Sequence, residues 1–144
     1  MTVLFWNIKR NDVSEYLKDL TSNHDIDILV LIESELNSYN VLLTLNEQDT
    51  SYYYCPIKIN INASIQIFTK FSSDLLTSIK DFPTRYTARK LTIPSKQEEL
   101  LLIVVHFYSK VYHDNRAQAI EAVNLSDFIN ESESEVGHQK TIVL

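Results

Sequence analysis

The stretch "DIDILVLIE", residues 25–33, decides the fold. From Ile28 to Ile32 it is unbroken aliphatic, and Ile26 extends the run past a single aspartate. Strands buried on both faces read as near-continuous apolar runs, whereas strands with one wet face alternate. The run therefore belongs inside a sheet, and it ends on a carboxylate, Glu33. Upstream, "TVLFWNIK" (2–9) is β-branched and aromatic and reads as another strand. Between them, "NDVSEYLKDLTSNH" (11–24) sets Val13, Tyr16, Leu17 and Leu20 at helical spacing behind a capping Asn11 or Asp12.

Downstream, the pattern predicts a helix from Ser38 to Asn46 through Tyr39, Leu42 and Leu43. The middle of the chain is strand-rich: residues 51–57, 64–70, 75–82, 85–93 and 99–108 are apolar or β-branched runs separated by short polar or proline-containing turns. Residues 113–132 read as a helix capped by Asp114, with Ala117, Ile120, Val123 or Asn124, and Phe128 keeping the period. The acidic "ESESEVG" (131–137) reads as a solvated loop. "KTIVL" (140–144) is a final strand, led in by the only glycine, Gly137. No internal repeat is present. The sum is one α/β domain with a mixed, largely antiparallel sheet and helices on one face.

Composition narrows the function. With one glycine in 144 residues, a Walker loop, a dinucleotide-binding Gly-x-Gly-x-x-Gly and a Gly-x-Ser-x-Gly nucleophile elbow are all excluded. The single cysteine, Cys55, can form neither an internal disulfide nor a cysteine zinc site. Met1-Thr2 runs into the first strand without a basic leader, so a cytoplasmic chain without a membrane segment is expected. The net charge of −6 argues against a non-specific nucleic-acid binder. It leaves room for an enzyme acting on phosphate esters through a bound cation, which supplies positive charge locally.

Three polar residues break apolar strands near their carboxyl ends: Asn7 in "LFWNI", Glu33 in "LVLIE" and His106 in "LLLIVVH". In sheet enzymes ligands gather at that edge. Singly, each has a plain structural reading, as a turn former, a helix-capping acid and a hydrogen-bonded core histidine. Arg89, in "YTARKLTI", is a candidate phosphate contact, with a surface cation on an edge strand as its plain alternative. Tyr52, Tyr53 and Tyr54 read as sheet packing rather than a base-stacking platform, His113 and His138 as solvated loop residues, and Glu131, Glu133 and Glu135 as a solubility feature.

Together, the residues resemble the endonuclease/exonuclease/phosphatase superfamily. Trp6-Asn7 matches the end of its first strand. "LIE" (31–33) matches its Leu-Gln-Glu pattern, with Ile32 in place of the usual Gln. "VVHF" (104–107) matches its histidine-bearing strand, and "NRAQA" (115–119) the helix start that follows. The resemblance implies one half of a four-layer αββα sandwich. It implies Glu33 as ligand of Mg²⁺ or Mn²⁺, with Asn7 orienting the ligand shell or the phosphate. His106 would hydrogen-bond the scissile phosphate or protonate the leaving oxygen. The implied partner is nucleic acid or another phosphate ester.

In that superfamily a strand like "KTIVL" leads into a Gly-Asp-Phe-Asn motif and a second half of the fold, neither of which occurs here. The expectation is a truncated N-terminal half spanning 1–144, with an incomplete catalytic set. Such a half would leave one sheet face bare, so it would self-associate or take a partner chain that supplies the rest. The alternative reading is a non-enzymatic binding or assembly module that kept the half-fold and lost the chemistry.

Overall fold

The computed structural model describes residues 1–47, 50–57, 65–82, 85–93, 96, 98–107 and 114–144. Ser64, Tyr108 and His113, which begin or end segments anticipated above, lie outside the described residues. The chain is mixed α/β and divides into two units, Met1–Leu76 and Thr77–Leu144.

The first unit carries β1 (Val3–Asn7), α1 (Ser14–Asn23), β2 (Ile28–Ile32), α2 (Ser38–Leu45), β3 (Tyr53–Cys55) and β4 (Ile65–Thr69). Its sheet has the order β1-β2-β4-β3. β1 and β2 run parallel, from Val3 opposite Ile28 to Asn7 opposite Ile32. β4 is antiparallel to both β2 and β3. Leu29, Leu31 and Phe68 turn one sheet face toward Leu17 of α1 and Val41 and Leu45 of α2, in one buried cluster. A fully buried leucine contributes about 1.5–3 kcal/mol relative to an exposed one, so this layer supplies the unit's main cohesion.

The other face of β2 is buried as well, at Ile28, Val30 and Ile32, as are Ile65 and Ile67 of β4. That is the burial an unbroken aliphatic run requires. On the edge strand β1, Phe5, the register partner of Val30, is 37% exposed.

The local signals behave as their chemistry dictates. Asn37 caps α2 by accepting from the Tyr39 and Asn40 amides. Asp12 instead accepts the Ser14 amide and hydroxyl just ahead of α1, which hold its carboxyl below the usual range. Tyr52 is buried and donates its hydroxyl to the Ile26 carbonyl at 2.5 Å. Burial, reinforced by Asp25 and Asp27, pushes its phenol up to about 12. Tyr54 packs on Phe68 with ring centroids 5.3 Å apart, the sheet-packing role expected of it.

The second unit carries β5 (Leu76–Phe82), β6 (Tyr86–Ile93), β7 (Glu98–Val105), α3 (Asn115–Val136) and β8 (Thr141–Val143), with sheet order β5-β6-β7-β8. β6 and β7 are antiparallel, and β7 and β8 parallel. The strand-rich middle of the sequence is thus shared between two sheets, with β3 and β4 in one and β5 to β7 in the other.

Asp114 caps α3 at the Ala117 amide, as expected. Two features of α3 differ from expectation. The helix runs through the acidic stretch to Val136, because glutamate is a good helix former and Gly137 supplies the stop. Gly137 adopts the left-handed conformation, φ 77, and its amide donates to the Glu133 carbonyl. Glu133 is engaged too, accepting from the Thr141 hydroxyl at the start of β8. The buried face is also rotated. Glu121, Phe128 and Ser132 point inward, while Ile120 and Val123 are 54% and 60% exposed. Phe128 packs on Tyr86, ring centroids 5.5 Å apart, and that contact sets the helix phase. His138, expected in a solvated loop, is half-buried, and its Nδ1 accepts from the Lys140 amide.

Candidate active site

Parallel pairing of β1 with β2 brings the carboxyl ends of the two strands together, and each ends on a polar residue. Asn7 is the last residue of β1, and Glu33 follows the last residue of β2. The Asn7 Nδ2 donates to Glu33 Oε1 at 2.8 Å. The opposite end of the amide is fixed as well, because Oδ1 accepts the Lys9 amide at 2.9 Å. Asn7 therefore presents its NH₂ group to the carboxylate in one orientation. Both side chains are half-buried.

The backbone around the pair is unusual. Lys9, Arg10 and Glu33 all have positive φ, 49, 62 and 52. Left-handed backbone costs an L-residue about 1–2 kcal/mol, and strain of this kind gathers at functional sites. The strain is held by a lattice of bonds. The Ile8 amide donates to Ile32 O at 3.0 Å, and the Arg10 amide to Glu33 O at 2.8 Å. The β1–α1 turn is thus laced to the end of β2 on either side of the carboxylate. Arg10 also pairs with Glu35 at 3.2 Å, on the exposed surface.

Behind the strand end lies a second arrangement that sequence reasoning passed over. Gln66 of β4, which pairs with Leu31, is 5% exposed. Its Oε1 accepts from the Ser34 hydroxyl at 2.8 Å, and its Nε2 donates to the Leu36 carbonyl at 2.8 Å. The available signal was a glutamine inside the apolar run "SIQIF".

The other two candidates lie in the second unit. His106 follows β7 directly and is half-buried. Its amide donates to the Arg85 carbonyl at 2.8 Å, and Arg85 Nη1 donates to the His106 carbonyl at 3.2 Å. This second cation, one residue before β6, was not singled out from the sequence. Arg89 lies on β6, an interior strand, and is 1% exposed. Its Nη1 donates to Asp81 Oδ1 at 2.7 Å, to Ser78 Oγ at 3.1 Å and to its neighbour's carbonyl, Ala88 O. Asp81 accepts the Thr87 hydroxyl as well. A phosphate contact from Arg89 would require the guanidinium to leave this carboxylate.

Within the first unit the structure brings Asn7 and Glu33 together. Among the described residues no three His, Cys, Asp or Glu side chains are grouped to hold a metal ion. The donor chemistry still fits a hard cation of the Mg²⁺ type, which binds through one or two carboxylates and keeps several waters. Glu33 offers one such carboxylate, oriented by an amide that adds no competing charge. No helix among the described residues is long and apolar enough to cross a membrane.

Solved structures with the same architecture support the sequence resemblance at the level of fold. An endonuclease/exonuclease/phosphatase family protein from Leptotrichia buccalis superposes with a TM-score of 0.58 at 12% identity, over 86% of this chain and 61% of its own. TDP2 from D. rerio, solved with a single-strand DNA product, matches at 0.57 and 13%, over 98% of this chain and 57% of that one. The endonuclease domain of TRAS1, a telomere-specific non-LTR retrotransposon, matches at 0.53 and 12%, over 98% and 56%. The chain thus carries an endonuclease/exonuclease/phosphatase-like fold and spans 56–61% of the length of these neighbours. No protein-family model and no curated protein matches the sequence.

Proposed function

We propose that this chain provides the cation-holding part of a metal-dependent phosphoester hydrolase of the endonuclease/exonuclease/phosphatase type, with nucleic acid as the favoured substrate. The observation carrying this reading is the Asn7–Glu33 pair: a half-buried carboxylate at the joined ends of two parallel strands, held by an oriented amide on a strained backbone. The likeness in fold to nucleases supports it, including one neighbour solved with DNA.

In this reading Glu33 holds Mg²⁺ or Mn²⁺, and Asn7 keeps the carboxylate aimed. The bound cation supplies charge neutralisation at a phosphate. His106 hydrogen-bonds the phosphate or protonates the leaving oxygen. Arg89, if it contacts phosphate, does so only after exchanging Asp81 for it. Full activity belongs to an assembly in which a further polypeptide segment or a partner chain adds the remaining catalytic groups, since such groups act as a unit. A reducing, cytoplasmic setting agrees with a single cysteine that is buried.

Titration calorimetry with MnCl₂ tests the core of this reading. Millimolar or tighter binding by the wild type that disappears in Glu33→Ala is expected. If neither protein binds at several millimolar Mn²⁺, the chain is a binding or assembly scaffold and the hydrolase reading falls.

A further inference from the structure

We infer that Gln66 is a positioning residue for Glu33, clamping the turn behind it so that the carboxylate keeps its left-handed backbone and its bond to Asn7. The inference rests on Glu33 being the working carboxylate and adds a group on a different strand to its support.

Glu33 has φ 52, a conformation that an unrestrained glutamate leaves for the extended region. From the front it is held by Asn7 Nδ2 on its side chain and by the Arg10 amide on its carbonyl. From behind, Ser34 and Leu36 are both tied to one side chain. Gln66 accepts from Ser34 Oγ with one end of its amide and donates to Leu36 O with the other, both at 2.8 Å.

The amide is well suited to this work. It is the smallest neutral group with a donor and an acceptor at opposite ends, so it ties two points of a turn without adding charge beside Glu33. Its own base is rigid, because β4 is buried at every position and Gln66 is in register with Leu31 of β2. Ser34, 2% exposed, has no route to water and needs a protein partner. Release of Ser34 and Leu36 would free the turn on the far side of Glu33, and the left-handed residue would relax. The carboxylate would then swing off Asn7 while β2 itself stayed paired.

A bland alternative is that Gln66 and Ser34 merely satisfy each other in the interior. The double variant Ser34→Ala with Gln66→Leu separates the two, because it removes donor and acceptor together and leaves no orphaned hydroxyl. Exchange of the Arg10 backbone amide and the chemical shifts of the Asn7 side-chain amide, both read by ¹⁵N NMR, report the geometry of Glu33 without any metal. Positioning predicts a folded double variant in which β2 and β4 amides keep their protection. The Arg10 amide exchanges about tenfold faster or more, and the Asn7 side-chain resonances shift. Mn²⁺ affinity, measured on the same samples, falls about 10–100-fold, as for loss of an outer-shell partner.

Wild-type exchange at Arg10 and unshifted Asn7 resonances in the folded double variant would overturn the inference. If the double variant fails to fold, Ser34→Ala alone releases one of the two tethers. An intermediate rise in Arg10 exchange is then expected, and no rise counts against positioning. Absence of Mn²⁺ binding by the wild type overturns the metal reading instead, and the NMR readout still decides the role of Gln66.

Discussion

Each unit of this chain holds an acid at hydrogen-bond distance from a nitrogen donor, Glu33 at 2.8 Å from Asn7 in the first and Asp81 at 2.7 Å from Arg89 in the second. The distances match and the settings differ. Side-chain exposure is 1% and 3% for the Arg89–Asp81 pair, whose charges cancel, and both carboxylate and guanidinium have hydroxyl partners as well. Displacing either partner would leave the other as a buried, unmatched charge. The Asn7–Glu33 pair is half-buried, joins the acid to a neutral donor, and has its acid on left-handed backbone. The buried pair with matched charge ties two neighbouring strands of one sheet, whereas the strained acid with a neutral donor is the one we propose as the cation holder.

Removing each acid is the most direct way to break this contrast. Asp81→Ala leaves a buried guanidinium without its counter-charge and is expected to destabilise by about 3–5 kcal/mol, read from the denaturant midpoint. The first unit carries an alkali-sensitive group. Tyr52 has a folded phenol raised to about 12. A phenol raised on folding stabilises fully below its unfolded value near 10, and that stability is lost as pH climbs from 10 through 12. The loss amounts to roughly 2–3 kcal/mol. Denaturant midpoints between pH 9 and 12 should fall in the wild type and fall less in Tyr52→Phe.

Glu33→Gly should reverse the sign seen at Asp81, because glycine accepts the left-handed backbone freely. A gain of up to about 1 kcal/mol in stability with loss of Mn²⁺ binding is expected. A loss of stability comparable to that of Asp81→Ala would erase the distinction between the pairs. The finest comparison is between helix caps. Asn37→Ala in the first unit and Asp114→Ala in the second should each cost about 1 kcal/mol, and unit-resolved amide exchange would show whether each loss stays in its own unit.

Much of the framework was legible because apolar runs of strand length are bounded by turn chemistry. "DIDILVLIE" announced an interior strand, and β2 is buried at all five positions. The Asn7–Glu33 pairing was legible through the resemblance, and parallel register turns it into contact. Other features depend on partners far along the chain. Arg89 looks like a surface cation until Asp81 of β5 folds beside it. Ile120 and Val123 fit a helical period as well as Leu125 and Phe128 do, and only the position of Tyr86 decides which face turns inward. The left-handed turn at Glu33 carried no signal, because a chain with one glycine must place such turns on ordinary residues.

The edge position of β1 has a consequence during synthesis. Val3–Asn7 carries no charge and is made before its strand neighbour β2, which begins at Ile28. At roughly 5–20 residues per second, the ribosome leaves that apolar pentapeptide unpaired for seconds. Over that interval the nascent chain presents a short hydrophobic segment of the kind that holdase chaperones bind. The same five residues that later bring Asn7 to Glu33 are thus, while the chain is being made, its exposed apolar segment.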